Sequence, residues 1–234
     1  MARERKVSLV DKVEATIGNR IVNGDHAPSD VFQIADLCTE FDASRTVLRE
    51  AIKSLTSKGL VTSRASVGTI VLPQPHWNLS DPDVLEWFLH ATGTRLPLIR
   101  EFNDFRLGIE PSAAALAASR SNTADIDKIF SALERMRAAE NGLDHSLDAD
   151  VEFHVAILHA TGNRFFINMR HTIAVALRIS IGVTNRQKSV TVASAADHAK
   201  IADAIGAGDA DNAAHEMRAL LLEARRLLCD STLD

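Results

Sequence analysis

Two kinds of patterning divide the chain. From about residue 82 onward, apolar positions recur at helical spacing in segments near 82–91, 95–119, 123–140, 145–161, 164–186, 194–207 and 209–229. Local punctuation agrees with those breaks. Asn122 precedes Thr-Ala-Asp, Gly162-Asn163 parts two segments with Asn163 placed to cap the second, and Gly206 to Gly208 part the last two. Six or seven helices with short connections predict an antiparallel all-helical bundle. The Ala-rich stretch Ala113–Ala118 reads as close helix packing within it.

Before residue 73 the pattern is mixed. Val10, Val13, Ile17 and Ile21 share a helical period over residues 8–23, which closes at Gly24. A second, short helix is expected over Gln33–Phe41, a turn at Asp42-Ala43, and a third helix capped by Ser44 and stopped by Lys58-Gly59. Residues 60–64 and 69–72 then flank Ala65-Ser-Val-Gly68 as a β-hairpin. Three helices and a hairpin make a winged helix-turn-helix. The expected fold is therefore mainly α: a winged helix-turn-helix over residues 1–73, a linker over 74–81 marked by Pro73 and Pro75, and a helical domain over 82–234.

Composition narrows the class. With 46% hydrophobic residues over 234 positions, the chain can bury a real core, and it has no apolar run of the ~20 residues needed to span a bilayer. The basic start lacks the apolar stretch of a secretory signal. Two cysteines, Cys38 and Cys229, make no disulfide framework, so a reducing cytoplasm is expected and both read as core-packing residues.

The net charge of −5 argues against indiscriminate nucleic-acid binding, but its distribution is informative. Residues 1–75 hold 10 Lys and Arg against 9 Asp and Glu, and the remainder holds 16 against 22. Within Ser44–Leu72, Arg45, Arg49, Lys53, Lys58 and Arg64 face a single anion, Glu50. One basic segment on an acidic protein suits one defined DNA-facing surface, although charge alone also fits an ordinary solvated helix face. The third helix decides between these readings. Leu48, Ala51, Ile52 and Leu55 form its packing stripe, which leaves Arg45, Thr46, Arg49 and Lys53 on another face. Two arginines one turn apart near a helix N-terminus are placed to fork onto guanine edges or clamp phosphates. Ser44 can reach phosphate while capping, and Arg64 and Gly68 of the wing can reach the neighbouring backbone or minor groove.

Ser44-Arg-Thr-Val-Leu-Arg-Glu-Ala51, Leu55, Lys58-Gly-Leu-Val61 and Gly68-Thr69 resemble the winged helix of GntR-type bacterial regulators over residues 8–73. Arg106-x-x-x-Glu110-Pro111, Asp150-x-x-Phe153-His154, Gly162-Asn163, Asp197-His198, Ala204-Ile205 and Gly208-Asp209 resemble the FCD effector domain of the FadR branch. A finer likeness, to galactonate (sugar-acid) operon repressors, is carried by Leu37–Phe41 and Trp77–Trp87. Two departures stand out. Where many GntR-type proteins carry a DNA-contacting arginine entering helix two, this chain has Ala35, so readout must lean on Arg45, Arg49 and the wing.

The second departure concerns a metal. Asp150 and His154, at i and i+4, project from one helix face, an arrangement that serves either a surface contact or a divalent ion. The resemblance assigns them as metal ligands with His198 as a third, for zinc or another divalent cation. The fourth ligand of the family falls on Leu220, which cannot ligate, and His215 lies on another side of that helix. A three-ligand site completed by effector oxygen and an apo pocket both remain open. For an acidic effector, Arg106 matches the family's pocket arginine, with an ion pair to Glu110 as its alternative, and Arg178 and His171 share one helix face. No nucleophile motif or phosphate loop points to an enzyme. The resemblance implies a homodimeric repressor of a sugar-acid operon, bound to palindromic double-stranded DNA and released by an effector such as galactonate.

Overall fold

The computed structural model describes residues 8–91, 95–187 and 194–230, which form two compact units, the first over 8–91 and the second over 95–187 and 194–230. The first unit runs α1 (Leu9–Val22), β1 (Val31–Phe32), α2 (Ile34–Glu40), α3 (Arg45–Ser57), β2 (Val61–Arg64), β3 (Gly68–Val71), a 3-10 turn (Gln74–His76) and α4 (Pro82–His90). Ser8 and Asp11 close a capping box on α1, and Ser44 accepts the Val47 amide at the start of α3. The stripes anticipated in sequence are buried: Val13, Ile17 and Ile21 on α1, and Leu48, Ala51, Ile52 and Leu55 on α3. The sheet is antiparallel in the order β1-β3-β2, with Arg64 opposite Gly68 in the hairpin and Val31 opposite Ile70 on the other edge. The two-residue β1 has no periodic signal of its own and is absent from the sequence expectation.

The segment expected as a linker is packed into this unit, and so is α4. Gly18 of α1 receives the Trp87 indole so closely that a Cβ there would lie 2.3 Å from the ring. At Gly59, φ is +76° and a Cβ would meet the His76 carbonyl at 2.1 Å, so glycine is required twice over. Asp81 caps α4 through the Asp83 and Val84 amides and also holds the Lys58 ammonium. Lys58 is buried, with Nζ 2.8 Å from Asp81, 2.7 Å from Asp83 and 3.5 Å from Glu14. Burial alone would lower its pKa, but hydrogen bonds to Asp81 and Asp83 outweigh that and hold it above the ordinary lysine value. Lys58, one of the cations of the basic segment, therefore braces the fold and is withdrawn from the surface.

The second unit comprises α5 (Arg95–Arg120), α6 (Thr123–Glu140), α7 (Ser146–Ala160), α8 (Arg164–Asn168), α9 (Arg170–Gln187), α10 (Ala195–Gly206) and α11 (Ala210–Asp230). The segment read as one helix over 164–186 is two, broken at Met169. Asn163 caps α8 by accepting the Phe165 amide at 2.9 Å. Helix α5 packs along α11 and against α7 and α10, which brings three helices around one buried polar cluster. Pro111 sits inside α5, where it offers no amide to the preceding turn. Neither cysteine is a core residue: Cys38 is half-buried and Cys229 exposed, because each falls on the outer side of its helix's apolar stripe. Among the described residues, no helix is long and apolar enough to cross a membrane.

Candidate DNA-reading face and polar nest

In the first unit, Ser44, Arg45, Thr46, Arg49 and Lys53 are all exposed on one side of α3, and Arg64 is exposed at the end of β2. The local cause is the packing stripe, which turns these positions outward while Leu48 and Leu55 are fully buried. Gly68 has a structural reason to be glycine. Its φ is +123°, and a Cβ would lie 2.7 Å from the Phe32 carbonyl of β1. The exposed wing tip is Ala65–Val67, held by the Gln33 side-chain amide, which donates to the Val67 carbonyl at 2.7 Å. Gln33 thus ties the N-terminus of α2 to the wing, a role that its local sequence does not signal.

In the second unit, α7 supplies Asp150 and His154 and α10 supplies His198, all three buried, with one potential ligand atom from each lying within 4.8 Å of the others. The hydrogen bonds behind the two imidazoles set which nitrogen faces inward. His198 Nδ1 is 2.8 Å from the Ser194 carbonyl, a pure acceptor, so in the neutral imidazole this nitrogen carries the proton and Nε2 keeps its lone pair. His154 Nδ1 is 2.6 Å from Glu110 Oε2, which likewise leaves Nε2 facing inward. Both Nε2 atoms lie 3.4 Å from Asp150 Oδ1. Although those distances are within ion-pair range, Asp150 Oδ1 and His198 Nε2 have no hydrogen-bond partner of acceptable geometry. With both imidazoles neutral, electron pairs from three side chains therefore converge in a buried space, an arrangement that positive charge relieves, whether as protons on the imidazoles or as a cation between them.

Electrostatics follow from this closeness. Burial would raise the Asp150 pKa, but His154 and His198 overcome it and hold the carboxyl well below its usual range. Burial pushes Glu110 up, but the Arg106 guanidinium and His154 bring it down to about 2. Desolvation would lower His154, and the Glu110 charge leads the contributions that leave it raised. Phe153 walls the cluster, its ring 5.1 Å from that of His198 and 5.8 Å from that of His154.

The sequence-predicted effector residues separate. Arg106 is buried beside the nest, with Nε 2.5 Å from Glu110 Oε1 and Nη2 3.3 Å and 3.4 Å from the two ring nitrogens of His154. It takes the ion pair with Glu110 that stood as its alternative role. Arg178 is exposed and paired with Asp148, and His171 is exposed on the same helix, so neither joins the nest. Leu220 is half-buried, beside a shallow depression that it shares with Asp197 and Glu216, and His215 is exposed. Glu110 is the residue that sequence reasoning undervalued: its Arg-x-x-x-Glu spacing showed the partner on its own helix and not the histidine on α7.

A winged helix with an exposed basic reading helix, carried on the same chain as a helical unit with a buried polar nest, defines a DNA-binding transcription regulator. The chain belongs to the GntR family: residues 9–71 match the bacterial regulatory proteins of the gntR family, and residues 101–223 match the FCD domain. It is 31% identical over 185 residues to the galactonate operon transcriptional repressor of Escherichia coli K12, covering 79% of this chain and 76% of that protein. It is 28% identical to a putative L-lactate dehydrogenase operon regulatory protein of the same organism, over 94% of this chain and 85% of that one. In fold it is similar to the solved structure of Lar, reported to control the Listeria monocytogenes agr system, with a TM-score of 0.62, 18% identity and coverage of 97% and 99%. Its domains and relatives are those of regulators and not of enzymes.

Proposed function

We propose that this regulator represses a sugar-acid catabolic operon and leaves its operator when an acidic sugar, galactonate or a close analogue, binds the helical unit. The 31% identity to the galactonate repressor across most of the chain is the observation that carries the choice of ligand. The reader is a homodimer on a palindromic site, with Arg45 and Arg49 of each copy entering successive major grooves and Lys53 and Arg64 on the phosphates.

The nest fits a divalent cation. Tetrahedral zinc with bonds of about 2.0–2.1 Å separates its ligands by about 3.4 Å, the distance observed between Asp150 Oδ1 and each Nε2. The unpartnered Asp150 Oδ1 and His198 Nε2 supply the donors that such an ion requires. Zinc would be held by Asp150, His154 and His198 and would supply a Lewis-acidic position for effector oxygens. With Leu220 in place of a fourth ligand, this chain holds a metal less tightly by itself, and the effector completes the shell. Arg106, buried beside His154, is the cation placed for a carboxylate, with Glu110 as its partner in the effector-free protein.

The test is an operator titration, followed by fluorescence anisotropy, with and without D-galactonate, gluconate, a hexuronate and L-lactate, alongside metal analysis of the purified protein. Release by galactonate with zinc bound is expected. Release by lactate alone would transfer the protein to the class of its other relative, and unchanged affinity with every acid would refute induction. Coupling must be reciprocal, so operator DNA should weaken effector binding by the same factor.

A further inference from the structure

Glu110 makes two contacts that meet on one carboxylate. Its Oε2 receives the His154 Nδ1 proton at 2.6 Å, and its two oxygens receive the Arg106 fork at 2.5 Å and 3.3 Å. It is almost completely buried, so no water competes for either contact. The imidazole it holds lies on a different helix, α7, and the opposite edge of that ring faces Asp150. A neutral imidazole carries one proton on either nitrogen, and in isolation nothing on α7 selects between them. The one strong acceptor at Nδ1 is Glu110. Arg106 does not make that choice: its Nη2 reaches both ring nitrogens, 3.4 Å from Nδ1 and 3.3 Å from Nε2, and so does not distinguish between them. At His198 the same selection is made from within α10, by the Ser194 carbonyl one turn back. The two histidines of the nest are thus oriented by different means, one by its own helix backbone and one by a side chain that α5 must deliver.

We infer that Glu110 is a positioning residue for the metal site. It fixes His154 with the proton on Nδ1 and the lone pair of Nε2 turned to Asp150, and Arg106 in turn fixes Glu110. This rests on the reading of the nest as a metal site, and it assigns to α5, which carries no ligand itself, control over the site's affinity. Because the Arg106 fork and the His154 proton share one carboxylate, any group that draws Arg106 away also alters the grip on His154. Outer-shell partners of this kind are typically worth about 10–100-fold in metal affinity.

The experiment uses the full chain with zinc(II) alone as the probe. Competition with a chromophoric chelator gives zinc affinity for wild type, Glu110→Gln and Arg106→Lys. Long-range ¹H–¹⁵N spectra of the histidine side chains at pH 8, metal-free and zinc-loaded, give the protonated nitrogen, with His154→Gln assigning the signal. Wild type should show His154 protonated at Nδ1 in both states. Glu110→Gln should bind zinc 10–100-fold more weakly, with that single form lost and the circular dichroism unchanged, and Arg106→Lys should fall between. If wild-type His154 carries its proton on Nε2, or if Glu110→Gln keeps zinc affinity within about twofold, the positioning role is overturned. If the wild type binds no zinc, it is the metal reading that fails, and the metal-free spectrum still decides the role of Glu110 whether or not the variants fold.

Discussion

Each unit buries a cluster of charge, and the two clusters are built on opposite principles. In the first, one ammonium is surrounded by acceptors: Lys58 lies among Glu14, Asp81 and Asp83, and all its donors have somewhere to go. In the second, donors and acceptors do not match, and Asp150 Oδ1 and His198 Nε2 are left without hydrogen-bond partners. A saturated cluster braces a fold. An unsaturated one, enclosed away from water, is costly to the metal-free chain and suits a site that waits for a cation. Burial of charge is thus a poor guide to function until the donors and acceptors have been counted.

Removing the lysine is the strongest way to break this contrast. Lys58→Ala should lower the unfolding free energy by about 2–4 kcal/mol in urea titration, since it strands Glu14 and Asp81, which are themselves partly buried. Lys58→Met, which keeps most of the apolar volume of this buried side chain, should cost less. Equal stability for both variants and the wild type would show that the cluster braces nothing.

Next in size is the effect at the reading face. Arg49→Ala should weaken specific operator binding by about 1–3 kcal/mol for each base edge that its guanidinium reads, with no change in thermal midpoint, because Arg49 is exposed. Operator affinity within twofold of wild type would remove Arg49 from the interface.

The nest should respond in the reverse sense to Lys58. At pH 8, where neutral imidazoles leave the carboxylate stranded, Asp150→Asn in chelator should match or exceed wild-type stability by up to about 1 kcal/mol. It should lose the rise in melting temperature that zinc gives the wild type. A clearly less stable metal-free variant would mean that the nest is already satisfied.

Acid and alkali should separate the clusters as well. Glu110 has a folded pKa of about 2, below its ordinary value of 4.5, so its contribution is full above about 4.5 and is lost as pH falls toward 2. Lys58 has a raised folded pKa, so its contribution is full below 10.5 and is lost only as pH rises through the higher folded value. Urea midpoints measured across both limbs should therefore lose their acid sensitivity in part with Glu110→Gln and their alkaline sensitivity in part with Lys58→Met.

The smallest effect belongs to the surface. Arg178→Ala breaks an exposed pair with Asp148 and should change stability by less than about 0.5 kcal/mol.

What was legible in the residues follows the range of the forces involved. Helix limits were legible because caps and apolar spacing act within a few residues: Ser44, Asn122 and Asn163 all cap where they are expected to. The strand β1 was not, because Val31 and Phe32 extend only through pairing with β3, far along the chain. The break at Met169 carries no glycine or proline to announce it. Asp150 and His154 share a helix face and were readable as a pair, and His198 entered through family likeness. Glu110 spans both cases, since its contact with Arg106 is local and its contact with His154 exists only once α5 and α7 have packed. The allegiance of α4 is likewise a long-range matter, settled by Trp87 on Gly18.

That seating of Trp87 bears on how such proteins are assembled over evolutionary time. Regulators that trade sensors must be cut and rejoined somewhere, and Pro73 and Pro75 advertise a seam. A chimera joined there would inherit Lys58 without Asp81 and Asp83, and the hollow over Gly18 without its indole. The transferable cassette therefore ends after α4, and a domain exchange that respects Ala91 should yield a soluble DNA reader where one made at Pro73 would not.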